Sequence, residues 1–572
     1  MVVEQPSQLS EEIRREIGQH FVFGFHGHEV TSDIEVLIRD YYLGNVILMK
    51  RNVKSAQQVH QIIQRLQQIA REAGHERPLM IGIDQENGLV SAFSSASSDD
   101  AGTQFPGAMA LAATDSLELT GRVSAASAQE LKLVGINWAY SPVADVNSDS
   151  RNPVIGVRSF SDDPHRVAAY ASAVARGLTS SGVAPSAKHF PGHGDTHTDS
   201  HIALPIIPKP PAALTSTELV PFAALAASCA TIMTGHMALP RVTGDMTPAS
   251  LAPAATHGLL RDAMGYEGVI VTDCLEMEAV AAREGGVPVA AVDAICAGAD
   301  IVMICHRFER HIGAVRAVYD AVSCGRIDLD AVRISGRRIA TLKDKFAGTW
   351  MEAAETAFDY TSWQIAKAAS RALSAKAYAM SIALLQNPNK AIPLHTDGSV
   401  MVFTPRTESI NLAIDDADGL LRTSDGKLRN TAGPSYITFA ADVTARTSPA
   451  TLHVVYGPGE SLAPADQERL RGARSVLFVT RNADRSVWQR DYLRYVLGLR
   501  GGPSGVVLLA SCAPYDLLDV PPGDALLGVA YVTSFEFTVP ALKAANAVVF
   551  GEVQAEGKVP VCKGAVVGAR VC

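Results

Sequence analysis

Through the first half of the chain, short apolar runs at 21–25, 45–49, 79–84, 137–140, 183–188, 230–234, 268–273 and 300–304 are separated by longer stretches of helical character. Each run has the length and β-branched content of a buried strand. Eight strands with intervening helices predict an α/β fold of the (β/α)8 TIM-like barrel type, whose active face lies at the carboxyl ends of the strands. A helical, charge-bearing segment from about Ser335 to Lys376 reads as a linker. Beyond it a second alternating series, at 400–404, 452–456, 475–480, 505–510, 525–531 and 547–550, predicts the strands of an open α/β layer. The pattern divides the chain into a barrel over 1–345, a helical linker over 346–380 and an α/β domain over 381–572. A single hydrophobic core does not organise a chain of 572 residues.

Polar side chains break this pattern at a few strand ends. The densest group is Lys188-His189-Phe190-Pro191-Gly192-His193-Gly194-Asp195-Thr196-His197-Thr198-Asp199-Ser200-His201. Its glycines and Pro191 exclude a helix, and a buried strand could not satisfy so many polar groups, so the segment reads as a functional loop. His193, His197 and His201 recur every four residues, the spacing of zinc ligands on one helical face, although the surrounding residues form helix poorly. In the other reading Asp199 and His201, two apart on an extended segment, project the same way. The carboxylate then orients the imidazole and stabilises its protonated form, which makes His201 a proton-transfer group. Taken singly, His193 and His197 read as solvated loop positions. Asp273 ends the run 268–273, where it serves chemistry at the barrel face or caps the next helix. Asp84 and Glu86 leave the run 79–84 in the same way. Arg158, in the loop 152–160, offers a fork-shaped donor to a hydroxyl, carbonyl or carboxylate, or pairs at the surface with Asp162 or Asp163.

Together these islands resemble the β-N-acetylglucosaminidase branch of glycoside hydrolase family 3. Its members show an Asp-Gln-Glu turn, a Gly-x-Arg-Ser/Ala-Phe loop, a Lys-His-Phe-Pro-Gly-His-Gly-Asp-Thr-x-x-Asp-Ser-His loop and a Ser/Thr-Asp-x-Leu-x-Met strand end, in the order found here. The resemblance implies a barrel followed by a C-terminal α/β/α sandwich. It also implies retaining exo-hydrolysis of terminal non-reducing β-N-acetylglucosamine through a covalent glycosyl-enzyme. On this resemblance Asp273 is the nucleophile, and His201 is the acid/base with Asp199 as its dyad partner. Asp84, Arg158, Lys188 and His189 match positions that hold the hydroxyls and the N-acetyl group of the sugar, with neither metal nor cofactor. An imidazole of ordinary pKa, about 6.5, can be protonated for one step and neutral for the next. A neutral base also repels an incoming anion less than a carboxylate does, so phosphate stands beside water as acceptor. One departure bears on the leaving group. Where the family runs Gly-Gly-Arg-Val-x-Arg-Phe this chain has Asn87-Gly88-Leu89-Val90-Ser91-Ala92-Phe93, without either arginine, which weakens the expectation of an acidic muramyl-type aglycone. The small, polar insert 94–103 that follows reads as part of the rim.

A formal net charge of −9 with no basic run argues against nucleic acid or an anionic membrane as partner and suits a neutral sugar. The eight cysteines form no Cys-x-x-Cys pair, and several, such as Cys296 and Cys305, lie in apolar runs; they read as reduced core thiols. Residues 1–16 lack the apolar segment of a secretory signal, and no run is long and apolar enough to span a bilayer. The expectation is a cytoplasmic enzyme whose partner is a small carbohydrate, with the oligomeric state left open. Three other readings stay beside the glycosidase: a phosphorylase using the same mechanism, a metal-dependent hydrolase built on the histidine loop, and a sugar-binding protein without turnover.

Overall fold

The structure, a computed structural model, describes residues 9–94, 100–198, 203–406, 432–447 and 451–562. Eight strands close into a barrel: β1 Phe21–Phe23, β2 Asn45–Leu48, β3 Met80–Ile83, β4 Trp138–Ala139, β5 Ala184–Phe190, β6 Thr231–Thr234, β7 Val269–Cys274 and β8 Ile301–Ile304. Each pairs in parallel with its neighbours in chain order, and β8 returns to β1. Val269 and Val271 join Val22, Ile47, Met80, Trp138, Tyr140 and Met303 in the barrel interior, while the alternate residues Ile270 and Val302 pack under the helices. Both faces of the sheet are apolar, which is why these strands read as unbroken hydrophobic runs. Gly82 is needed for that interior, because a Cβ there would lie 2.4 Å from the Tyr140 hydroxyl oxygen.

The helix Ala56–Glu72 after β2 opens on a capping box, with Ser55 accepting from the Gln58 N–H, and buries Val59, Ile62, Ile63, Leu66 and Ile69 as one stripe. Asp163 caps the helix Pro164–Ser180 through the N–H groups of His165 and Arg166. The helix Leu329–Phe346 ends the barrel series and closes its amino-terminal end with Ile339, Leu342 and Phe346. Tyr360–Ser381, a helix of 22 residues, then packs against both the barrel helix Leu117–Leu133 and the helix Val539–Val549 of the second sheet.

Among the described residues that sheet has six strands: β9 Ala383–Gln386, β10 Val400–Pro405, β11 Leu452–Tyr456, β12 Ser475–Thr480, β13 Val506–Ala510 and β14 Ala530–Thr533. Their order is β9-β14-β13-β12-β10-β11, and β9 alone of the six runs antiparallel. Met401, Phe403, Val476 and Phe478 face Leu470, Tyr492, Leu493 and Val496 of the helices Pro464–Gly472 and Trp488–Arg500. Val402, Leu477, Val507 and Val532 face Tyr436, Phe439, Leu542 and Val548 of the helices Pro434–Arg446 and Val539–Val549. The result is an α/β/α sandwich.

Two strand expectations are corrected here. Residues 547–550 close the helix Val539–Val549, which is apolar on nearly every side because it lies between the sheet and the helix Tyr360–Ser381. The run 525–531 divides into a 3₁₀ turn, Ala525–Gly528, and the start of β14. The cysteines differ as well: among the described residues Cys296 and Cys324 end helices and are exposed, so the set is not uniformly one of core thiols. Among the described residues no helix is long and apolar enough to cross a membrane.

Candidate active site

Because all eight barrel strands are parallel, their carboxyl ends share one mouth. Asp84 follows β3, Lys188 and His189 lie near the end of β5, and Asp273 is the penultimate residue of β7. Lys188 is buried and its ammonium bridges two carboxylates, reaching Asp84 Oδ1 and Glu86 Oε1 at 2.7 Å each. Arg158 clamps Glu86 with both arms of its fork, Nε to Oε2 at 2.9 Å and Nη2 to Oε1 at 2.7 Å. Burial opposes the Glu86 anion, but Arg158 and Lys188 outweigh it and hold the pKa down at about 2. Burial likewise opposes the Lys188 and Arg158 cations, and the facing carboxylates overcome it and raise both pKa values. Among the acids of this network Asp84 is the one turned outward, with a third of its side chain exposed against 5 % for Glu86. It is the carboxylate open to a ligand.

His189 is oriented from behind. Asp145, fully buried, accepts from the His189 backbone N–H at 3.1 Å and from its Nδ1 at 2.7 Å, and also from the His193 N–H at 2.7 Å. Burial works against the Asp145 carboxylate, yet His189 and His193 keep its pKa below the usual value. With Nδ1 held as the donor, Nε2 of His189 is the acceptor and faces Arg158 Nη2 at 3.4 Å. Loop 188–198 thus offers an oriented imidazole, and its peptide bonds Lys188–His189 and Phe190–Pro191 are cis.

At β7 the Cys274 N–H donates to Asp273 Oδ1 at 2.7 Å. The next helix, Glu278–Ala281, has Met277 as its N-cap, so Asp273 does not cap it. Asp273 lies at the mouth, partly exposed. Behind it His236, which follows β6, is buried between the Ser250 hydroxyl at 2.7 Å and the Cys274 carbonyl at 3.0 Å.

The structure gathers Asp84, Arg158, Lys188, His189 and Asp273 at one end of the barrel. Asp199 and His201 lie outside the described residues, as does half of the insert 94–103. Three expectations change. Arg158 is a buried partner of Glu86; Asp163 is spent on its helix, and Asp162 accepts the Cys562 N–H. His193 is buried, its Nδ1 2.8 Å from the Thr196 hydroxyl, because the loop folds back over Asp145. His197 is exposed, as read from the sequence, and meets Asp149 at 2.8 Å. The segment 191–198 has no helix, so His193 and His197 share no helical face and this half of the zinc motif is absent. Sequence reasoning missed Asp145 and His236, and it named Glu86 without giving it a role. A carboxylate in the otherwise apolar stretch 143–146 was the available signal for Asp145.

The second domain braces this mouth. Glu536 Oε2 accepts the Gly107 N–H at 2.9 Å, and its Oε1 takes the Tyr378 hydroxyl at 2.6 Å. Gly88, at φ +63°, is forced by the same contact, since a Cβ there would lie 2.7 Å from Glu536 Oε2. Arg485 donates to the Asn152 carbonyl at 2.9 Å, and Asn152 in turn donates to the His193 carbonyl at 2.9 Å.

Comparison with known proteins places this geometry. The family model of the glycosyl hydrolase family 3 N terminal domain matches residues 12–342. Beta-hexosaminidase A of Pseudoalteromonas piscicida is 32% identical over 340 residues, which cover 55% of this chain and 56% of that protein. A beta-hexosaminidase of Stenotrophomonas maltophilia (strain K279a) is 35% identical over 289 residues, covering 50% of this chain and 83% of that one. Among solved structures, a fungal multi-domain family 3 β-N-acetylglucosaminidase with a GCN5-related glucosamine N-acetyltransferase region superposes with a TM-score of 0.86 at 34% identity, covering 98% of this chain and 62% of that chain. A family 3 β-N-acetylglucosaminidase from Paenibacillus sp. str. FPU-7 gives a TM-score of 0.82 at 30% identity, covering 98% of this chain and 100% of the other. The chain therefore spans little more than half the length of the first of these relatives.

Proposed function

Since this chain belongs to glycosyl hydrolase family 3, we propose that it is a retaining exo-β-N-acetylglucosaminidase acting on terminal non-reducing β-linked N-acetylglucosamine. The observation that carries the reading is the placement of Asp84, Arg158, Lys188 and His189 at the same barrel mouth as Asp273. The names of the relatives, β-hexosaminidases and β-N-acetylglucosaminidases, support the choice of sugar.

In this mechanism Asp84 and Lys188 bind the sugar hydroxyls, one as acceptor and one as donor. His189 and Arg158 hold the remaining oxygens. Asp273 attacks the anomeric carbon, and the bond from that carbon to the leaving oxygen breaks as the His201 imidazolium gives its proton to the oxygen. Asp199 supports the cation. In the second step the neutral imidazole takes a proton from water, the water oxygen bonds to the anomeric carbon, and the Asp273 ester opens. Two inversions leave the configuration unchanged.

Nitrophenyl N-acetyl-β-glucosaminide tests the whole scheme. The wild type should release the chromophore and give the β-anomer first by NMR. Asp273→Ala should lose at least about 10⁴-fold in kcat, as removal of a nucleophile does, and azide should restore turnover with an α-glycosyl azide as product. His201→Ala should harm poor leaving groups far more than the nitrophenyl one. An α-anomer as first product, or an active Asp273→Ala, overturns the assignment. Product analysis on chitobiose with and without phosphate then decides the acceptor.

A further inference from the structure

Cys274 ends β7 and Cys305 follows β8, so two adjacent, paired strands bring two buried thiols to the same part of the barrel mouth. Glu276 and His306 extend from the same two strand ends. The ligand atoms of Cys274, Glu276 and His306 lie within 4.8 Å of one another, and the glycosidase mechanism uses none of these side chains. We propose that Cys274, Glu276 and His306, with Cys305 as the adjoining thiol, form a binding site for a thiophilic divalent cation of the zinc class, and that the bound ion inhibits the neighbouring sugar site.

The donor set decides the kind of ion. Thiol, imidazole and carboxylate together suit zinc and its tetrahedral relatives, whereas magnesium and calcium select oxygen cages. Glu276 is already held in place: its Oε2 accepts the N–H of Cys305 at 3.0 Å and that of His306 at 2.5 Å, and Arg310 lies 3.4 Å from Oε1. Such backing orients a carboxylate ligand. The thiols are buried, the Glu276 side chain is 4 % exposed and His306 is exposed, which leaves a route from solvent over the imidazole. Two cations border the cluster, Arg310 and Arg51, the latter 3.2 Å from His306 Nδ1. On ligation Cys274 gives its proton to solvent, and the resulting thiolate and the Glu276 carboxylate together balance a divalent ion beside these arginines. An ion held through His306 Nδ1 replaces the Arg51 contact.

Inhibition follows from position. Cys274 is bonded to Asp273 along the chain and its N–H holds Asp273 Oδ1 at 2.7 Å, and the field of Asp84 reaches Cys305. A dication at this point draws on both carboxylates that the sugar needs. The inhibitory half rests on the glycosidase reading; the binding half does not.

Metal-free full-length protein titrated with Co²⁺ tests the site directly. The expected result is a thiolate-to-cobalt charge-transfer band with tetrahedral d–d absorption, saturating at one ion per chain and removed by Zn²⁺. Cys274→Ser and the surface variant His306→Ala should each weaken binding by roughly tenfold or more, while the exposed pair Cys296→Ser/Cys324→Ser should leave it intact. Absence of the band, or its survival in both site variants, or its loss in the exposed-cysteine variant, overturns the site. Zn²⁺ should also inhibit release of nitrophenol by the wild type, reversibly with chelator, and inhibit His306→Ala less. Cobalt binding without zinc inhibition overturns the inhibitory half. A protein that shows the cobalt spectrum and cleaves no glucosaminide separates failure of the catalytic reading from failure of this one.

Discussion

Two buried clusters of charge lie on either side of the loop 152–158, and they resolve the same electrostatic problem in opposite ways. In the barrel mouth Glu86 is out of water, yet Arg158 and Lys188 keep it ionised with a pKa of about 2. At the end of β12 in the second domain, burial raises the Asp516 carboxyl to about 7, the nearby acid Asp484 adds to the rise, and Asp484 is itself raised by burial. Asp516 is answered mainly by neutral donors, the Thr480 hydroxyl and the Ala483 N–H, and only weakly by the field of Arg485. Burial alone therefore does not set a charge state. A carboxylate shared by two cations remains an anion, and one paired with neutral groups beside another acid takes a proton near neutrality. The first arrangement gives the proposed sugar site charges that stay constant over the working range. The second gives a strut whose charge changes with pH.

The two clusters should also bend stability in opposite directions. The folded pKa of Glu86 is depressed from 4.5, so its contribution is complete above that value and is lost as the pH falls toward about 2. The folded pKa of Asp516 is raised from 3.8, so its contribution is complete below that value and is lost as the pH rises through about 7.

The sharpest way to break the contrast is Glu86→Gln, which leaves the Arg158 and Lys188 cations buried with one anion fewer. It should lower stability at pH 7 by roughly 3–5 kcal/mol in urea denaturation, and a loss below about 1 kcal/mol would show that the mouth cluster is no interdependent network. Next comes Asp516→Asn, whose stabilising effect should grow by roughly 2–3 kcal/mol between pH 5 and pH 8. An equal effect at both pH values would place the titration of Asp516 elsewhere. Asp84→Asn should lower kcat/KM for the nitrophenyl substrate about 10- to 100-fold, the worth of a charged hydrogen bond, with little change in stability. The smallest effect belongs to Arg485→Ala, where loss of one hydrogen bond to Asn152, about 1 kcal/mol, should raise KM a few-fold and leave kcat nearly unchanged. A fall in kcat alone would mean that the second domain touches the chemistry and not only the loop that supports it.

The barrel was legible in the sequence because each strand is covered on both faces, so the local run of Val, Ile, Leu and Met carries the signal without reference to any partner. The helix Val539–Val549 was misread for the same reason: covered on nearly every side, it loses the one-sided stripe that marks a helix. Asp84, Lys188, His189 and Asp273 stood out as polar residues ending apolar runs. The partner of Arg158 did not, because Glu86 lies 72 residues away and reaches it only once β3 stands beside β4 and its following loop. The two buried acids of the second domain carried no local mark either.

The order of the barrel strands, the polar residues at their ends and the membership of the glycosidase family were determined by the sequence itself, through patterns spanning no more than a dozen or so residues. Which charges meet was decided only by the tertiary structure. Closing the barrel sets Lys188 between Asp84 and Glu86, brings the strand ends of Cys274 and Cys305 together, and lets Glu536 and Arg485 of the second domain grip loops of the candidate site. Strand propensity is a property of neighbours along the chain. Ionisation and ligand geometry belong to groups brought together across it, and their energies are unspecified until the fold sets distance and burial.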